Sequence, residues 1–133
     1  MAARANTAAG AEAFTRYFLG QTNASYKQLR PELIEPLVAS GCKTCAGFIS
    51  QVKEYISKRQ KYEGDFVTPT LVTVSSFSGT VAKVFVSSDT AAGRVVESDG
   101  TTAQELPAEK GNTTTALMYS DGAWTVAEIQ AVA

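Results

Sequence analysis

The feature of this sequence that most constrains its fold is a change in the spacing of apolar residues near Asp65. Before Asp65, apolar side chains recur every three or four positions, which is the spacing of one face of an α-helix. After it, β-branched residues alternate with polar ones, as in a half-buried strand. Helices followed by strands predict an α+β fold, in which the helices cover one face of an antiparallel sheet.

About three helices are predicted in the first half of the chain. The first spans residues 8–27 and carries one apolar stripe. The second is short, at residues 31–38, because Pro31 suits a helix start and Pro36 limits the length. The third, at residues 43–61, is the clearest, and the basic residues near its C-terminal end suit the helix dipole.

The second half predicts a curved antiparallel sheet of four to six strands. Asp121–Gly122 is a two-residue hairpin turn between the last two of these strands. Residues 99–112 are predicted to be a long connection. The predicted strands lie at residues 66–77, 80–88, 93–98, 113–120 and 123–132.

Composition excludes several classes of function. The chain has 133 residues, a net charge of −1 and no histidine. The absence of histidine excludes His-based triads, His general bases and His metal ligands. Lys and Arg form no basic run, so nucleic acid is not expected as a partner, because phosphate binding needs clustered positive charge. No stretch approaches the about 18 apolar residues of a membrane-spanning helix, so no transmembrane segment is predicted.

The length fits one domain, which we place at residues 10–133. Residues 1–9 are small and polar, and we interpret them as a flexible tail or a cloning remnant. This segment has no long apolar stretch and does not resemble a signal peptide. A leader or lipid anchor removed during maturation would leave no trace in this sequence.

The two cysteines, Cys42 and Cys45, form a CxxC motif. Such a pair serves as a redox centre, as half of a zinc site, as reduced thiols or as a local disulfide. A zinc site needs about four ligands, which this chain does not supply from Cys and His. A thioredoxin-like motif follows a strand, whereas helices or a loop precede this one. A helix N-terminus lowers the pKa of a thiol, which keeps a reactive thiolate as an alternative.

We therefore predict a structural disulfide between Cys42 and Cys45. The closed loop is so short that the chain-entropy contribution is only about 2 kcal/mol. The bond would fix the turn that opens the third helix. Because disulfides persist in oxidising compartments, the pair predicts an extracytoplasmic location, with a cytoplasmic location as the alternative.

Several stretches resemble the cone-shaped NTF2-like superfamily. They are "FTRYF" in the first helix and "MYSDGAWTVAEIQ" at the end, where a short turn precedes Trp, Val and Ile in alternation. "GCKTC" before the long helix, followed by "YEGDF", resembles actinobacterial extracytoplasmic NTF2-like proteins and lipoproteins of unknown function. The resemblance covers most of residues 10–133 and implies helices packed on a twisted antiparallel sheet.

The resemblance constrains function weakly, because this superfamily includes isomerase-like enzymes, dehydratases, transport factors and non-catalytic accessory domains. The chain lacks the acid/base histidine of the dehydratase-like members. No carboxylate matches a catalytic position of the isomerase-like members by motif. The resemblance therefore implies no catalytic residue, metal ligand or cofactor for this chain.

Aromatic residues are the candidates for a ligand site. In a cone they either fill the core or line a cavity, in which tyrosine and tryptophan supply polar groups. The candidates are Phe14, Tyr17, Phe18, Phe48, Tyr55, Tyr119 and Trp124.

The leading hypothesis is a non-catalytic binding domain at the cell envelope, secreted or membrane-anchored, whose partner is a small hydrophobic ligand or an envelope protein. The second is an isomerase or lyase acting on a small hydrophobic substrate, which needs an enclosed carboxylate of raised pKa beside a tyrosine hydroxyl. The third is a homodimerisation module that pairs through its sheet. The sequence leaves open whether the apolar strand residues fill the core or form the outer face of this sheet. These residues are Val72, Val74, Val84, Val86, Leu117 and Tyr119.

Overall fold

The computed structural model describes residues 2–132 and places two long helices against an antiparallel sheet, with a second, smaller sheet beside it. This arrangement confirms the α+β class predicted from the change in periodicity. Within residues 2–132, no helix is both long enough and apolar enough to cross a membrane.

Helix α1 (Ala8–Gln28) lies along the main sheet. The Thr7 hydroxyl caps its first turn by accepting a hydrogen bond from the Gly10 amide at 2.9 Å. The helix ends at Leu29, which takes a left-handed conformation with φ of 56°. A capping residue thus marks each end of α1, Thr7 at the start and Leu29 at the end. The predicted range of 8–27 is confirmed to within one residue.

The predicted second helix, residues 31–38, is confirmed as a helical segment but not as one continuous helix. Two 3-10 turns, Pro31–Leu33 and Glu35–Leu37, occupy the segment instead. Pro36 has no amide hydrogen and disfavours a helical conformation at the preceding residue, so an α-helix cannot continue through it. The two short turns still bury Ile34 completely, which explains the apolar pattern.

Helix α2 (Lys43–Ser57) is shorter than the predicted 43–61. Arg59 takes a left-handed conformation with φ of 55°, and the chain then enters strand β1 (Lys61–Glu63). In this strand Tyr62 is buried while its neighbours are less so, which is an alternation rather than a helical repeat. The charged run at the end of the predicted helix therefore spans a turn and a short strand.

The strands form two antiparallel sheets. The main sheet has the order β2–β3–β6–β7 and the small sheet has the order β1–β4–β5. The remaining bounds are β2 (Thr68–Phe77), β3 (Val81–Thr90), β4 (Gly93–Val96), β5 (Thr102–Leu106), β6 (Glu109–Ser120) and β7 (Ala123–Ala131).

The long connection predicted at 99–112 contains the whole of β5 and the beginning of β6. Four of the five residues of β5 are exposed, so it has no apolar alternation by which to recognise a strand. Its structure comes from pairing with β4, where Gly93 lies opposite Leu106.

The helices and the main sheet enclose one large core, which we call the cone core. It includes Phe14, Phe18, Ile34 and Trp124, together with the disulfide sulfurs. The six strand residues predicted for either the core or the outer face all belong to this core or pack against it. They are Val72, Val74, Val84, Val86, Leu117 and Tyr119.

Helix side chains also hold both edges of the main sheet. The Val74 amide at one edge donates to the Glu12 carboxylate at 2.9 Å. At the other edge the Thr44 hydroxyl donates to the carbonyl of Ile129 at 3.0 Å. Such contacts fix the helices on the sheet and satisfy backbone groups that an edge strand would otherwise expose.

In the segment predicted as a flexible tail, residues 1–9, Ala3 is buried, residues 4–9 are exposed, and Ala8 begins α1. Ala3 is 7% exposed and belongs to the cone core. The Trp124 indole donates to the carbonyl of Ala5 at 3.0 Å. Contacts to Ala3 and to the Ala5 carbonyl therefore hold the start of this segment to the rest of the domain, although the side chains after Ala3 are exposed.

Candidate functional site

The predicted pocket residues separate into two groups. Phe14, Phe18 and Trp124 are 6%, 0% and 2% exposed and fill the cone core. Tyr119 packs against that core, and its hydroxyl donates to the carbonyl of Arg4 at 2.9 Å. These residues pack together at one end of the fold and line none of the cavities described below.

Tyr17 is 41% exposed and lies on the outer side of α1. The Tyr17 side chain therefore contributes to the surface of the helix rather than to the core. Only Phe48 and Tyr55, both on α2, lie towards the other end of the cone.

At that other end lies a second group of rings, which we call the aromatic cluster. It consists of Tyr26, Tyr55, Tyr62 and Phe66, with Phe48 against it. The Tyr26 ring stacks on Phe66 at a centroid distance of 4.1 Å and an angle of 11°. The rings of Tyr55 and Tyr62 stand at 71° and 74° to Tyr26, with centroids 6.2 and 5.7 Å away.

The aromatic cluster lines a cavity of about 310 Å³ that opens to solvent. We call it the aromatic cavity. Its volume is within the range of small-molecule sites. The other lining residues come from α2, the small sheet and the start of β6. They are Gln51, Thr90, Gln104, Leu106, Pro107 and Glu109.

A pair of side chain–backbone hydrogen bonds positions the stacked rings. Asn23 on α1 donates to the carbonyl of Val67 at 2.6 Å and accepts from the Val67 amide at 2.8 Å. Phe66 precedes Val67, and Tyr26 lies one helical turn beyond Asn23 on the same face of α1. Asn23 therefore holds the loop that carries Phe66 over the helix that carries Tyr26.

Burial sets the electrostatics of the three tyrosines. It raises the pKa of Tyr26, and the charge that Tyr55 and Tyr62 would carry on ionisation raises it further. Burial likewise raises the pKa of Tyr55 and of Tyr62, and the carboxylates of Glu54 and Asp65 add to these shifts respectively. At neutral pH all three hydroxyls are therefore protonated.

The hydroxyl of Tyr62 has no hydrogen-bond partner among the described residues, although it is buried. It lies against Gly93, where an added Cβ would come within 2.9 Å of the hydroxyl oxygen and 2.7 Å of the Glu63 carbonyl. Only a glycine allows β4 to approach β1 so closely. A buried hydroxyl without a partner lowers the stability of the fold. A polar group placed beside it would therefore be stabilising.

A smaller cavity of about 80 Å³ lies between the helices and the main sheet, on the far side of Phe66. Phe48 and Phe66 line it together with Thr22 and Thr115. Phe66 therefore borders both spaces and separates the aromatic cavity from the interior of the cone.

A larger groove of about 720 Å³ lies on the small sheet, where Arg94 pairs with Glu63 at 2.8 Å. No aromatic side chain lines this groove, and its charged residues are Glu63, Arg94 and the exposed Glu105. The aromatic cavity is therefore the better candidate for a specific ligand. Among residues 2–132, no group of acidic, cysteine or histidine side chains is placed to hold a metal ion.

The disulfide predicted for Cys42 and Cys45 is present, with the Cα atoms 5.3 Å apart. Both residues are buried in the cone core, at 1% and 0% exposure. The sulfur of Cys42 also accepts from the Cys45 amide at 3.3 Å, so it caps the first turn of α2. The bond stabilises the start of this helix and lies apart from the aromatic cavity.

Comparison with known proteins identifies the fold. No protein-family model and no curated protein matches the sequence. The intermembrane space region of the chloroplast protein ARC6 aligns with a TM-score of 0.69 at 16% identity, covering 96% of this chain and 97% of that one. A protein with a cystatin-like fold from Caulobacter vibrioides aligns with a TM-score of 0.55 at 12% identity, covering 90% and 87%.

A third solved structure is described as the β subunit of an aromatic-ring-hydroxylating dioxygenase from Novosphingobium aromaticivorans. It aligns with a TM-score of 0.61 at 11% identity, covering 92% of this chain and 88% of that one. The chain has the NTF2-like cone fold. Identities this low establish the fold alone and carry over none of the activities of these proteins.

In this NTF2-like cone fold the cone core fills one part, and the aromatic cavity lies at the other, which we call the open end. Of the residues predicted to line a pocket, Tyr55 lines the aromatic cavity, whereas Tyr26 and Tyr62 were not among the predicted residues. Tyr26 lies four residues after the buried Thr22 and eight after Phe18, so the helical period could have indicated its burial. Tyr62 lies beyond the predicted third helix, in strand β1. The open end has apolar ring surface with hydroxyl and amide groups at its margin. This combination suits the binding of a small molecule.

Proposed function

We propose that this domain binds a small, largely apolar molecule in the aromatic cavity, without chemical conversion. The observation that carries the proposal is the convergence of Tyr26, Tyr55, Tyr62 and Phe66 on one open cavity of about 310 Å³. Aromatic walls supply most of the binding energy in such sites, and a few polar groups orient the ligand. Protonated tyrosine hydroxyls and the amides of the cavity provide those polar groups.

The enzyme hypothesis receives less support from the same geometry. Acid–base catalysis on an apolar substrate needs a carboxylate enclosed beside a tyrosine hydroxyl. Glu109 is the acidic residue that lines the aromatic cavity, and it is exposed at the rim. Its position favours contact with the polar end of a ligand over proton transfer inside the cavity.

We propose an extracytoplasmic location at the cell envelope, as the resemblance to actinobacterial extracytoplasmic proteins implies. The disulfide supports it, because such bonds persist mainly in oxidising compartments. A direct test is to measure the thiol content of the protein extracted from its native cells under conditions that trap free thiols. The proposal predicts no free thiol, and a fully reduced pair would contradict it.

The binding proposal is tested by screening a fragment library against the ¹⁵N-labelled protein and mapping the backbone amides that shift. We expect hits that perturb the amides of Tyr26, Tyr55 and Phe66 and that saturate. Leu106→Trp should abolish them, because the larger side chain fills the cavity that Leu106 lines. Leu71→Trp is the matched control, since Leu71 is exposed on β2 outside the cavity.

Hits that bind both variants equally well would show that the ligand site lies elsewhere. A screen without a single saturable hit at the aromatic cluster would also contradict the proposal. The two variants need to be compared by circular dichroism first, so that loss of binding is not confused with loss of fold.

One observation favours homodimerisation as a second candidate function. Val81 on β3 lies opposite Met118 on β6, and the two are 39% and 50% exposed on the outer face of the main sheet. Neighbouring exposed apolar residues of this kind mark candidate interfaces. Sedimentation of the wild type and of Met118→Lys tests this: a dimer that the variant dissociates supports the candidate, and a wild-type monomer contradicts it.

A further inference from the structure

We infer that the free edge of strand β5 binds an extended segment of a partner protein, which pairs with β5 as a further strand of the small sheet. Basic side chains of this segment would lie beside Glu105, and apolar side chains would lie beside Gln104. The inference goes beyond the proposed function, because this edge is open whether or not a small molecule occupies the aromatic cavity.

The sheet edges of this domain differ in how they are covered. On the main sheet, the Val74 amide of one edge donates to Glu12, and the Val126 carbonyl of the other accepts from the Ala39 amide at 2.8 Å. Strand β1, one edge of the small sheet, is only three residues long. Strand β5 is the other edge, and among residues 2–132 its backbone forms hydrogen bonds only in the ladder with β4.

An edge of this kind is a template for another strand. In an antiparallel ladder, alternate residues direct their amide and carbonyl groups away from the neighbouring strand. Four of the five residues of β5 are exposed, and its register with β4 is regular over residues 104–106. Open edges bind extended peptides, in which main-chain hydrogen bonds supply affinity and alternate side chains supply specificity.

The charges of the small sheet indicate which side chains suit one face of an added strand. Glu63, Arg94 and Glu105 lie opposite one another on successive strands and form one row. Arg94 pairs with Glu63 at 2.8 Å, whereas Glu105 forms none of the four ion pairs among the described residues. The next position in this row therefore lies beside an unpaired carboxylate, which favours Lys or Arg there.

The neighbouring row indicates apolar side chains on the opposite face. Tyr62, Val95 and Gln104 lie opposite one another, and Tyr62 and Val95 are 4% and 2% exposed. Gln104 ends this row, is exposed and lines the aromatic cavity together with Leu106. Because side chains alternate between faces, a residue paired with Gln104 points to the same side as the buried Tyr62 and Val95. An apolar side chain at this position extends the apolar row.

A second copy of this chain fits the edge less well than a basic segment does. Strand β5 contains Glu105 and no Lys or Arg. Two β5 strands paired with each other would therefore bring two carboxylates together without a basic residue on either strand, and like charges across a ladder are destabilising. The partner that satisfies both rows is an extended segment in which basic and apolar residues alternate.

The test uses two short peptides with blocked ends, one in which valine and lysine alternate and one in which glutamate replaces the lysine. Each is titrated into the ¹⁵N-labelled protein, and the amide shifts of Gln104 and Glu105 are followed. We expect the lysine peptide to bind about five- to tenfold more tightly, because a favourable cross-strand charge pair replaces an unfavourable one. Equal affinities, or no shift in β5 with either peptide, would overturn the inference.

The role of Glu105 is tested with Glu105→Gln, which should reduce the preference for the lysine peptide to about twofold or less. Glu128→Gln is the matched control, because Glu128 is an exposed acidic residue of β7 in the main sheet. This control should leave the preference unchanged. Equal effects of the two variants would show that the lysine peptide responds to the net charge of the protein, and the inferred pairing beside Glu105 would be wrong.

Main-chain pairing is tested with two N-methylated forms of the lysine peptide, one methylated at the valines and the other at the lysines. Alternate amides of a strand point to the same side, so one set faces β5 and the other set faces away from it. We expect one form to lose about tenfold or more in affinity and the other to bind like the unmethylated peptide. If both forms bind equally well, the peptide does not add as a strand and the inference fails.

The outcomes also separate this inference from the proposed function. If fragments bind at the aromatic cluster and no peptide shifts the amides of β5, the inference fails and the proposed function stands. If the lysine peptide binds to β5 as expected and no fragment binds at the aromatic cluster, the inference stands and the proposed function fails.

Discussion

The Tyr26 and Phe66 rings lie parallel, with centroids 4.1 Å apart, and join the end of α1 to the loop between β1 and β2. Because Phe66 also borders the small interior cavity, this stack forms the boundary between the aromatic cavity and the interior of the cone. The stability of the open end and its ability to hold a ligand therefore depend on the same pair of rings.

The first prediction concerns this boundary. Phe66→Ala removes the stack and joins the two cavities, so we expect a loss of about 2–4 kcal/mol in the free energy of unfolding. Urea denaturation measures it. Phe77→Ala is the matched control, because Phe77 is 41% exposed at the end of β2 and has less surface to lose. An equal cost for both variants would contradict the assigned role of Phe66.

The second prediction concerns the unpaired hydroxyl of Tyr62. Tyr62→Phe removes a buried polar group without a partner, so the stability of the ligand-free protein should stay equal or rise. Tyr119→Phe should instead cost about 0.5–1.5 kcal/mol, because it removes a hydrogen bond to the Arg4 carbonyl. If thermal unfolding shows Tyr62→Phe to be the more damaging change, its hydroxyl has a partner that the structure does not reveal.

The third prediction is a loss of stability at alkaline pH. Burial raises the pKa of Tyr26, Tyr55 and Tyr62 in the folded protein, so the folded state holds these protons more tightly than the unfolded state does. Below about pH 10 both states are protonated and this contribution is intact. Above it the unfolded state releases protons first, so the free energy of unfolding falls as pH rises towards the folded-state values.

Urea denaturation between pH 9 and 11.5 tests this dependence, and Tyr26→Phe should flatten it. Tyr17→Phe controls for the loss of a tyrosine as such, since Tyr17 is exposed on α1. If the free energy of unfolding falls with pH equally steeply in the wild type and in Tyr26→Phe, the burial of Tyr26 does not govern the loss of stability at alkaline pH.

The fourth prediction concerns the disulfide. Replacing Cys42 and Cys45 together by serine should cost about 2 kcal/mol, because the closed loop is very short. The first turn of α2 should lose protection against hydrogen exchange because the bond that fixes this turn is gone, although a serine hydroxyl at position 42 can still cap it. The aromatic cavity should retain its ligand affinity, and a loss of binding without a loss of fold would contradict the purely structural role of the bond.

The class of fold could be predicted from the sequence because its signals are periodic. The stripe containing Phe14 and Phe18 and the alternation at Val84 and Val86 each indicate a buried face, and all four residues are buried. The CxxC spacing similarly allowed the disulfide to be predicted, because four residues of chain limit the alternatives. These signals are local, and each needs only a few neighbouring residues.

The small sheet and most of the cavity could not be predicted, because tertiary contacts determine them. Strand β5 is almost wholly exposed and forms through pairing with β4, which local sequence does not encode. Tyr62 follows a turn set by the left-handed Arg59, a conformation unusual for a non-glycine residue. The space beside Gly93 that accommodates Tyr62 is visible only once the two strands are placed together.

The most direct test of the account is a crystal structure of the protein as purified, soaked with a fragment that shifts the Tyr26 amide. The account predicts an open cavity bounded by Tyr26, Tyr55, Tyr62 and Phe66, with the soaked molecule ordered against these rings. A collapsed cavity filled by Leu106, with the molecule absent or bound elsewhere, would contradict it.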